Sequence, residues 1–299
     1  MNRSLPLSFC SSLVLALAAG GTAVAGDKGC VWRLEGPDGV VYLAGSIHLL
    51  RESDHPLPPV YERAYRDCDR VYFEVDIQAM KSPEGNATAL RLGMLPKGEG
   101  LEQWLTPETM GSLRAYAEQR GLPMGQLQIF RPGMLVLTVT NLEAMRIGAK
   151  PEFGVEAIFE RRAREDGKSV EALETLEFQL NLFNGMSRAE QDRMLRITLE
   201  DVEEAGKTLE AMIQAWRAGD GAKLAEELNR NFEPEDAPLI KRLLHDRNES
   251  WIPAIEKALR EPGGKNTVFI VGAGHLVGEK SVISLLQAKG YQPVQWTPE

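Results

Sequence analysis

The chain has 299 residues, 43 acidic against 34 basic side chains, and a formal net charge of −9. An acidic balance of this size argues against nucleic acid and anionic membranes as partners. A hydrophobic share of 43% is ordinary for a globular protein with a real core, held in one large domain or two intimate ones.

The first 25 residues read as a secretory leader. Arg3 is their only charge, an apolar stretch follows over 13–19, and Ala23-Val24-Ala25 supplies the small-x-small pattern at which leaders are cleaved. The apolar run is too short to span a bilayer, Cys10 lies inside the leader, and no lipobox marks the leader's end. Cleavage after Ala25 removes Arg3 and takes the net charge from −9 to −10. The expected location is the periplasm or the extracellular space. No later stretch is long and apolar enough for a transmembrane helix; the nearest, 132–139, reads as a buried helix start or a strand. Two cysteines then remain, Cys30 and Cys68, each just ahead of a predicted strand. An oxidising compartment favours a disulfide between them, with neighbouring strand starts giving the geometry. A zinc–thiolate site is disfavoured because there is no Cys-x-x-Cys pair.

Residues 30–35 and 40–44 are two β-rich runs joined by Gly36-Pro37-Asp38-Gly39, a hairpin pattern. The second run ends in Gly45, and His48 follows three residues later. A loop over 49–58 leads to a short helix over 60–66, with Pro59 in its first turn. A strand over 71–76 alternates, placing Val71, Phe73 and Val75 on one face and Tyr72, Glu74 and Asp76 on the other.

From 77 to about 237 helical spacing dominates, broken by Gly and Pro. Helices are expected over 107–118, 153–165 and 189–217, with a short strand and its exit over 169–174. Leu195, Leu199, Val202, Leu209, Met212 and Trp216 are the inward positions of the third. Helical character continues over 222–229 and 238–259. A strand over 267–271 then ends in Gly272, with His275 again three residues on, followed by a helix over 279–289, Gly290 as its stop, and a last strand over 291–296. This pattern predicts a mixed α/β fold: a central sheet assembled from the two ends of the chain, with a large helical insertion or cap over about 77–237.

Two of the four histidines thus occupy matching Gly-x-x-His positions after apolar strands. Ligands of sheets with parallel strands sit beyond the carboxyl ends of those strands, so the pairing predicts one shared cleft. Neutral imidazole binds zinc, manganese, cobalt and iron; His48, His275 and Glu74 would make a set of two nitrogens and one carboxylate with positions left for water and substrate. Gly45 and Gly272 would let the backbone turn or approach closely. Either motif alone is short enough to arise by chance, and Glu74 alone could be a salt-bridging strand carboxylate. His55 and His245 read as solvent-facing structural residues.

The segments Tyr42-Leu-Ala-Gly-Ser-Ile-His48, Phe73-Glu74-Val75-Asp76 and Val271-Gly-Ala-Gly-His275 resemble the TraB/PrgY/GumN family, which is related to the Tiki metalloproteases. Ser53-Asp-His-Pro-Leu-Pro58, Leu173-Glu174-Thr175 with Glu177 and Gln179, and Arg247-Asn248-x-x-Trp251 resemble further family segments, in the expected order. The resemblance implies an erythromycin-esterase/ChaN-like (EreA/ChaN-like) fold over 26–299 and an active site at His48, Glu74 and His275. It implies a divalent-metal-dependent hydrolase, and more narrowly a peptidase, acting on a peptide or another small extracytoplasmic substrate. Relatives that bind haem leave a non-catalytic haem-, metal- or peptide-binding regulator as the alternative. Where family members carry Gly-hydrophobic-Asp, this chain has Gly154-Val155-Glu156, a carboxylate one methylene longer. Glu156 and Glu174 are candidates to orient ligands or join the ion, or else plain helix-surface and strand-end carboxylates. Arg247 and Asn248 are candidates for holding substrate, Arg247 also for neutralising the site carboxylates. Sequence leaves the metal, the substrate and the oligomeric state open.

Overall fold

The computed structural model describes residues 28–297 except 262 and 264. The leader read at the N-terminus lies outside the described residues. Six strands form one mixed sheet: β1 (Val31–Glu35), β2 (Val40–Ser46), β3 (Arg70–Phe73), β4 (Ser169–Ala172), β5 (Thr267–Gly272) and β6 (Val294–Gln295). Their order across the sheet is β4-β3-β5-β2-β1-β6. β5 runs parallel to both β2 and β3, and β4 runs parallel to β3; β1 is antiparallel to β2 and to β6. The chain therefore brings its two ends together at the centre of the sheet. Burial follows from this: β5 is covered along its whole length, as a central parallel strand between helical layers must be.

Local sequence explains the flanking helices. Pro59 opens the helix Pro59–Arg66, whose Val60, Tyr61, Ala64 and Tyr65 are buried at helical spacing. Thr106 caps Pro107–Gln119 by accepting from the Thr109 amide, and Gly121 beyond its end takes a left-handed φ of 65°. The apolar run from 132 is helical, Pro132–Arg146, not extended. The long helical stretch read over 189–217 is two helices, Arg188–Glu200 and Ala205–Ala218, the first closed by a capping box of Ser187 and Glu190 at its start. Its inward positions pack as the spacing predicts, with Leu195 and Trp216 fully buried. A main core beneath the sheet joins both chain ends to Trp216, Trp251 and Phe159, while Leu101, Leu113, Leu135 and Leu195 build a second core among the middle helices. No described helix is long and apolar enough to cross a membrane.

The expected disulfide is corrected by this topology. Cys30 and Cys68 are buried free thiols. Cys30 enters β1, which is antiparallel, so it lies beside the carboxyl end of β2, where the Gly45 amide donates to its carbonyl at 2.7 Å. Cys68 lies ahead of β3, at the opposite end of the parallel strands. Two strands, β5 and β2, stand between β3 and β1. Three strand spacings alone amount to about 14 Å, against a Cα separation of at most about 7 Å for a disulfide. Both cysteines do precede strands, but not neighbouring ones.

Candidate active site

The carboxyl ends of β2, β3, β4 and β5 face one crevice, and each delivers one charged or titratable side chain: His48, Glu74, Glu174 and His275. The two motif strands are direct neighbours, with Gly45 opposite Val271 and Ser46 opposite Gly272. Glu74 falls one residue beyond β3 rather than within it, which takes it out of the sheet and into the crevice. The main chain of Gly272 is where these side chains converge. A methyl group placed there would lie 3.1 Å from Glu74 Oε1, 3.4 Å from His48 Nε2 and 3.5 Å from His275 Cδ2. The Gly272 amide donates to Glu74 Oε1 at 2.7 Å, so the motif glycine both frees the space and orients the carboxylate. Gly45 contributes differently: its carbonyl accepts from the indole of Trp216 at 2.7 Å and from the Tyr61 hydroxyl, which pins the end of β2.

Each imidazole is held through its Nδ1. The Asn248 amide donates to the Lys280 carbonyl at 2.9 Å, so its Oδ1 accepts from His275 Nδ1–H at 2.6 Å. His275 then carries its lone pair on Nε2, 3.7 Å from Glu74 Oε1. His48 Nδ1 donates to Glu156 Oε1 at 2.7 Å, and the Ser46 hydroxyl donates to the same oxygen. Glu156 lies in the first turn of Val155–Glu165, which is drawn against the β2 exit by the Val155 amide donating to the Ile47 carbonyl at 3.2 Å. Gly154 permits that approach, since a side chain there would collide with the His48 carbonyl. Glu156 Oε2 is buried with no hydrogen-bond partner.

Arg247 ties the cluster together. Its guanidinium meets Glu174 through Nε at 2.9 Å and Nη2 at 2.8 Å, donates from Nη2 to Glu74 Oε2 at 2.5 Å, and donates from Nη1 to His275 Nε2 at 3.0 Å. It also lies over the Trp251 ring, whose indole N–H donates to Glu174 at 2.9 Å. Gln179 donates to both Glu174 and Glu74, at 3.0 and 3.3 Å. Burial opposes ionisation of Glu74, but the neighbouring His275, Arg247 and His48 and the Gly272 amide overcome it and hold the carboxyl down at about 2. Burial drives the His275 imidazolium out, lowering its pKa to about 3, so the ring is neutral at ordinary pH and its Nε2 accepts from Arg247. The Glu156 charge raises His48 to about 9.

The structure thus gathers His48, Glu74, His275, Glu156, Glu174, Arg247 and Asn248 into one place. Arg247 and Asn248, read from sequence as substrate contacts, have their polar groups engaged by Glu74, Glu174, Lys280 and His275 inside the protein. Glu156 and Glu174 are not surface carboxylates: Glu156 is buried, and the Glu174 side chain is 4% exposed. Two other residues earn a place that sequence did not assign. Ser46 is inside the first motif, and Gln179 sits one helical turn into Leu176–Asn184, in reach of both acids; only the position of Gln179 beside the Glu174 motif hinted at this. His55 and His245 stay outside the centre, half-buried rather than solvent-facing; His55 Nε2 bonds the Phe153 carbonyl at 3.0 Å.

The residue types suit a divalent ion, two imidazoles and a carboxylate with each ring backed by an acceptor on Nδ1, but at Gly272 only His48 Nε2 and Glu74 Oε1 present donor atoms, His275 turning Cδ2 there and its Nε2 to Arg247. The guanidinium of Arg247 fills part of the space between His275 and Glu74, and among the described residues no three His, Cys, Asp or Glu side chains stand as a ready-made ion cage.

A mixed sheet with paired histidines and acids at the carboxyl ends of its parallel strands defines an α/β protein with these side chains where such sheets place their ligands. The sequence from residue 30 to 295 matches the TraB/PrgY/gumN family, and the chain belongs to that family. It is similar to "Metalloprotease TIKI2" of Xenopus tropicalis, 25% identical with 86% of this chain and 58% of that protein covered. "Metalloprotease TIKI1" of Homo sapiens is 24% identical over 84% of this chain and 59% of its own length. "Uncharacterized protein YbaP" of Escherichia coli is 24% identical over 82% of this chain and 87% of its own length. The chain spans a little under three fifths of the TIKI2 protein. No solved structure matches it.

Proposed function

We propose that the protein is a metal-dependent hydrolase of the peptidase type, with His48, His275 and Glu74 as the residues that hold a divalent ion. The observation that carries this reading is the convergence of the three side chains on Gly272, within 3.1–3.5 Å of one methyl-sized position. The names of the metalloprotease relatives support it. When bound, such an ion supplies Lewis-acid polarisation of a carbonyl and acidifies water.

The chain's own residues set the stage for that chemistry. Asn248 and Glu156 each hold one imidazole by its Nδ1 and so orient the two rings. Glu74, kept ionised by Arg247 and the Gly272 amide, offers an oxygen to a cation or accepts a proton from an attacking nucleophile. Arg247 pairs with both Glu74 and Glu174, so neither buried carboxylate lacks a cationic partner before loading. Trp251, packed 4.4 Å from the His275 ring, walls the centre from water on one side.

The test combines metal content with hydrolysis. Purified protein dialysed against Mn²⁺, Co²⁺ or Zn²⁺ should retain one ion per chain, and His48→Ala and His275→Ala should each lose it. Glu74→Gln should abolish cleavage of a quenched-peptide library. Equal metal content in all three proteins rejects the assignment.

A further inference from the structure

We propose that the apolar cleft beside His48 is the specificity pocket of this site, taking a bulky uncharged side chain of a peptide next to the bond that is cut; this rests on the peptidase reading above. The cleft has a volume of about 390 Å³. Ile47 and Leu49 flank His48 on one side, and Val139, Ala144, Leu209 and Met212 from two middle helices form the opposite wall.

Three observations select the occupant. The first is continuity with the reactive centre. His48 belongs to both: its side chain is 62% exposed and lines the cleft, while its Nε2 faces Gly272. Glu74 and His275 are nearly closed off, at 8% and 4% exposure, so an occupant of this cleft reaches the centre across the one imidazole that meets solvent. The second is charge. The acidic lining residues are Glu143, Asp201 and Glu227, and no Lys or Arg lines the cleft. Glu143 is already bound by Arg120 and Arg146, and Glu227 by Lys223 and Arg230. An acidic side chain or a free carboxylate would meet three acidic side chains there and no cation except the His48 ring, which is already paired with Glu156. The third is size. The volume lies at the lower end of the range for small-molecule sites, enough for one or two side chains and too small for a long acyl chain.

The experiment measures binding, so that it does not depend on turnover. Fluorescein-labelled capped octapeptides that differ only at one central residue, Leu, Phe, Asp or Lys, are titrated with the metal-free full chain and followed by anisotropy. The Leu and Phe peptides should bind at least about tenfold more tightly than the Asp peptide, the discrimination an apolar pocket gives for a large side chain. Ala205→Trp, which fills the cleft from a half-exposed position, should erase that preference while leaving Zn²⁺ affinity unchanged. Met212→Ala, which widens the cleft, serves the same comparison and should shift preference towards Phe. Equal binding of all four peptides, or tighter binding of the Asp peptide, the Lys peptide or a fluorescent fatty acid than of the Leu and Phe peptides, overturns the pocket. Loss of metal binding with the preference intact overturns the peptidase reading alone.

Discussion

Arg247 Nη1 stands 3.0 Å from His275 Nε2, so a guanidinium engages the lone pair that a metal ion would use. The same group pairs with both Glu74 and Glu174, whose side chains are 9% and 4% exposed. Replacing it with an uncharged side chain leaves two buried carboxylates without their cation. Arg247→Met should therefore cost about 3–5 kcal/mol of stability in a urea melt. It should also free Nε2, so added Zn²⁺ should raise the melting temperature of the variant by more than that of the wild type. Equal shifts would show that the guanidinium does not compete for the site.

Metal uptake should depend on pH through His48. With Glu156 raising its pKa to about 9, the ring carries a proton at neutral pH, whereas an ion needs the neutral ring. Affinity should climb about tenfold per pH unit until it levels near the His48 pKa. Glu156→Gln removes the charge responsible, so the rise should level off at a lower pH. Titration calorimetry at several pH values reads both curves, and parallel curves would exclude the Glu156–His48 pair as the cause.

The middle helices carry a separate acid-sensitive lock. Glu143 is buried and accepts from Arg120 at 2.8 Å, Arg146 at 2.8 Å and Tyr116 at 3.1 Å. Burial opposes its charge, but these donors prevail and lower its pKa. Protons therefore bind the unfolded chain more readily, and stability rises with pH across the window. The contribution is complete above the ordinary glutamate value, about 4.3, and is lost as pH falls through the lowered one. Glu143→Gln should be less stable by about 1–3 kcal/mol at pH 7. The difference should shrink in acid, as read from denaturant midpoints between pH 3 and 7.

Thiol chemistry distinguishes the observed topology from the expected disulfide. Burial pushes the Cys30 thiol up to about 12 and raises Cys68 further. Both should resist iodoacetamide in the native protein and react without prior reduction once it is unfolded. A mass increase of two protons on reduction would refute the free-thiol arrangement.

Much of this architecture was legible in the sequence because local rules and tertiary demands agreed. The hairpin at Gly36–Gly39, Pro59 as a helix opener and the apolar runs before Gly45 and Gly272 each reflect short-range physics, and the duplicated Gly-x-x-His pointed to neighbouring strand ends. What stayed hidden depends on strand order. The separation of Cys30 from Cys68 follows from β5 and β2 lying between their strands, which no local pattern encodes. Likewise, Glu156 meets His48 across more than a hundred residues because Gly154 lets a helix start touch the β2 exit. Arg247 reads as a cation for substrate until its partners are seen to be Glu74 and Glu174.

The proposed metal centre depends on one small space at Gly272. That residue has φ −50° and ψ 132°, which alanine adopts without strain, so Gly272→Ala changes little except to insert a methyl among Glu74, His48 and His275. Calorimetric titration of wild type and variant with Zn²⁺ and Mn²⁺ is the direct measurement. The prediction is one ion per wild-type chain and none for Gly272→Ala, with both proteins folded by circular dichroism. Stoichiometric binding that survives the added methyl would contradict a metal centre at this position.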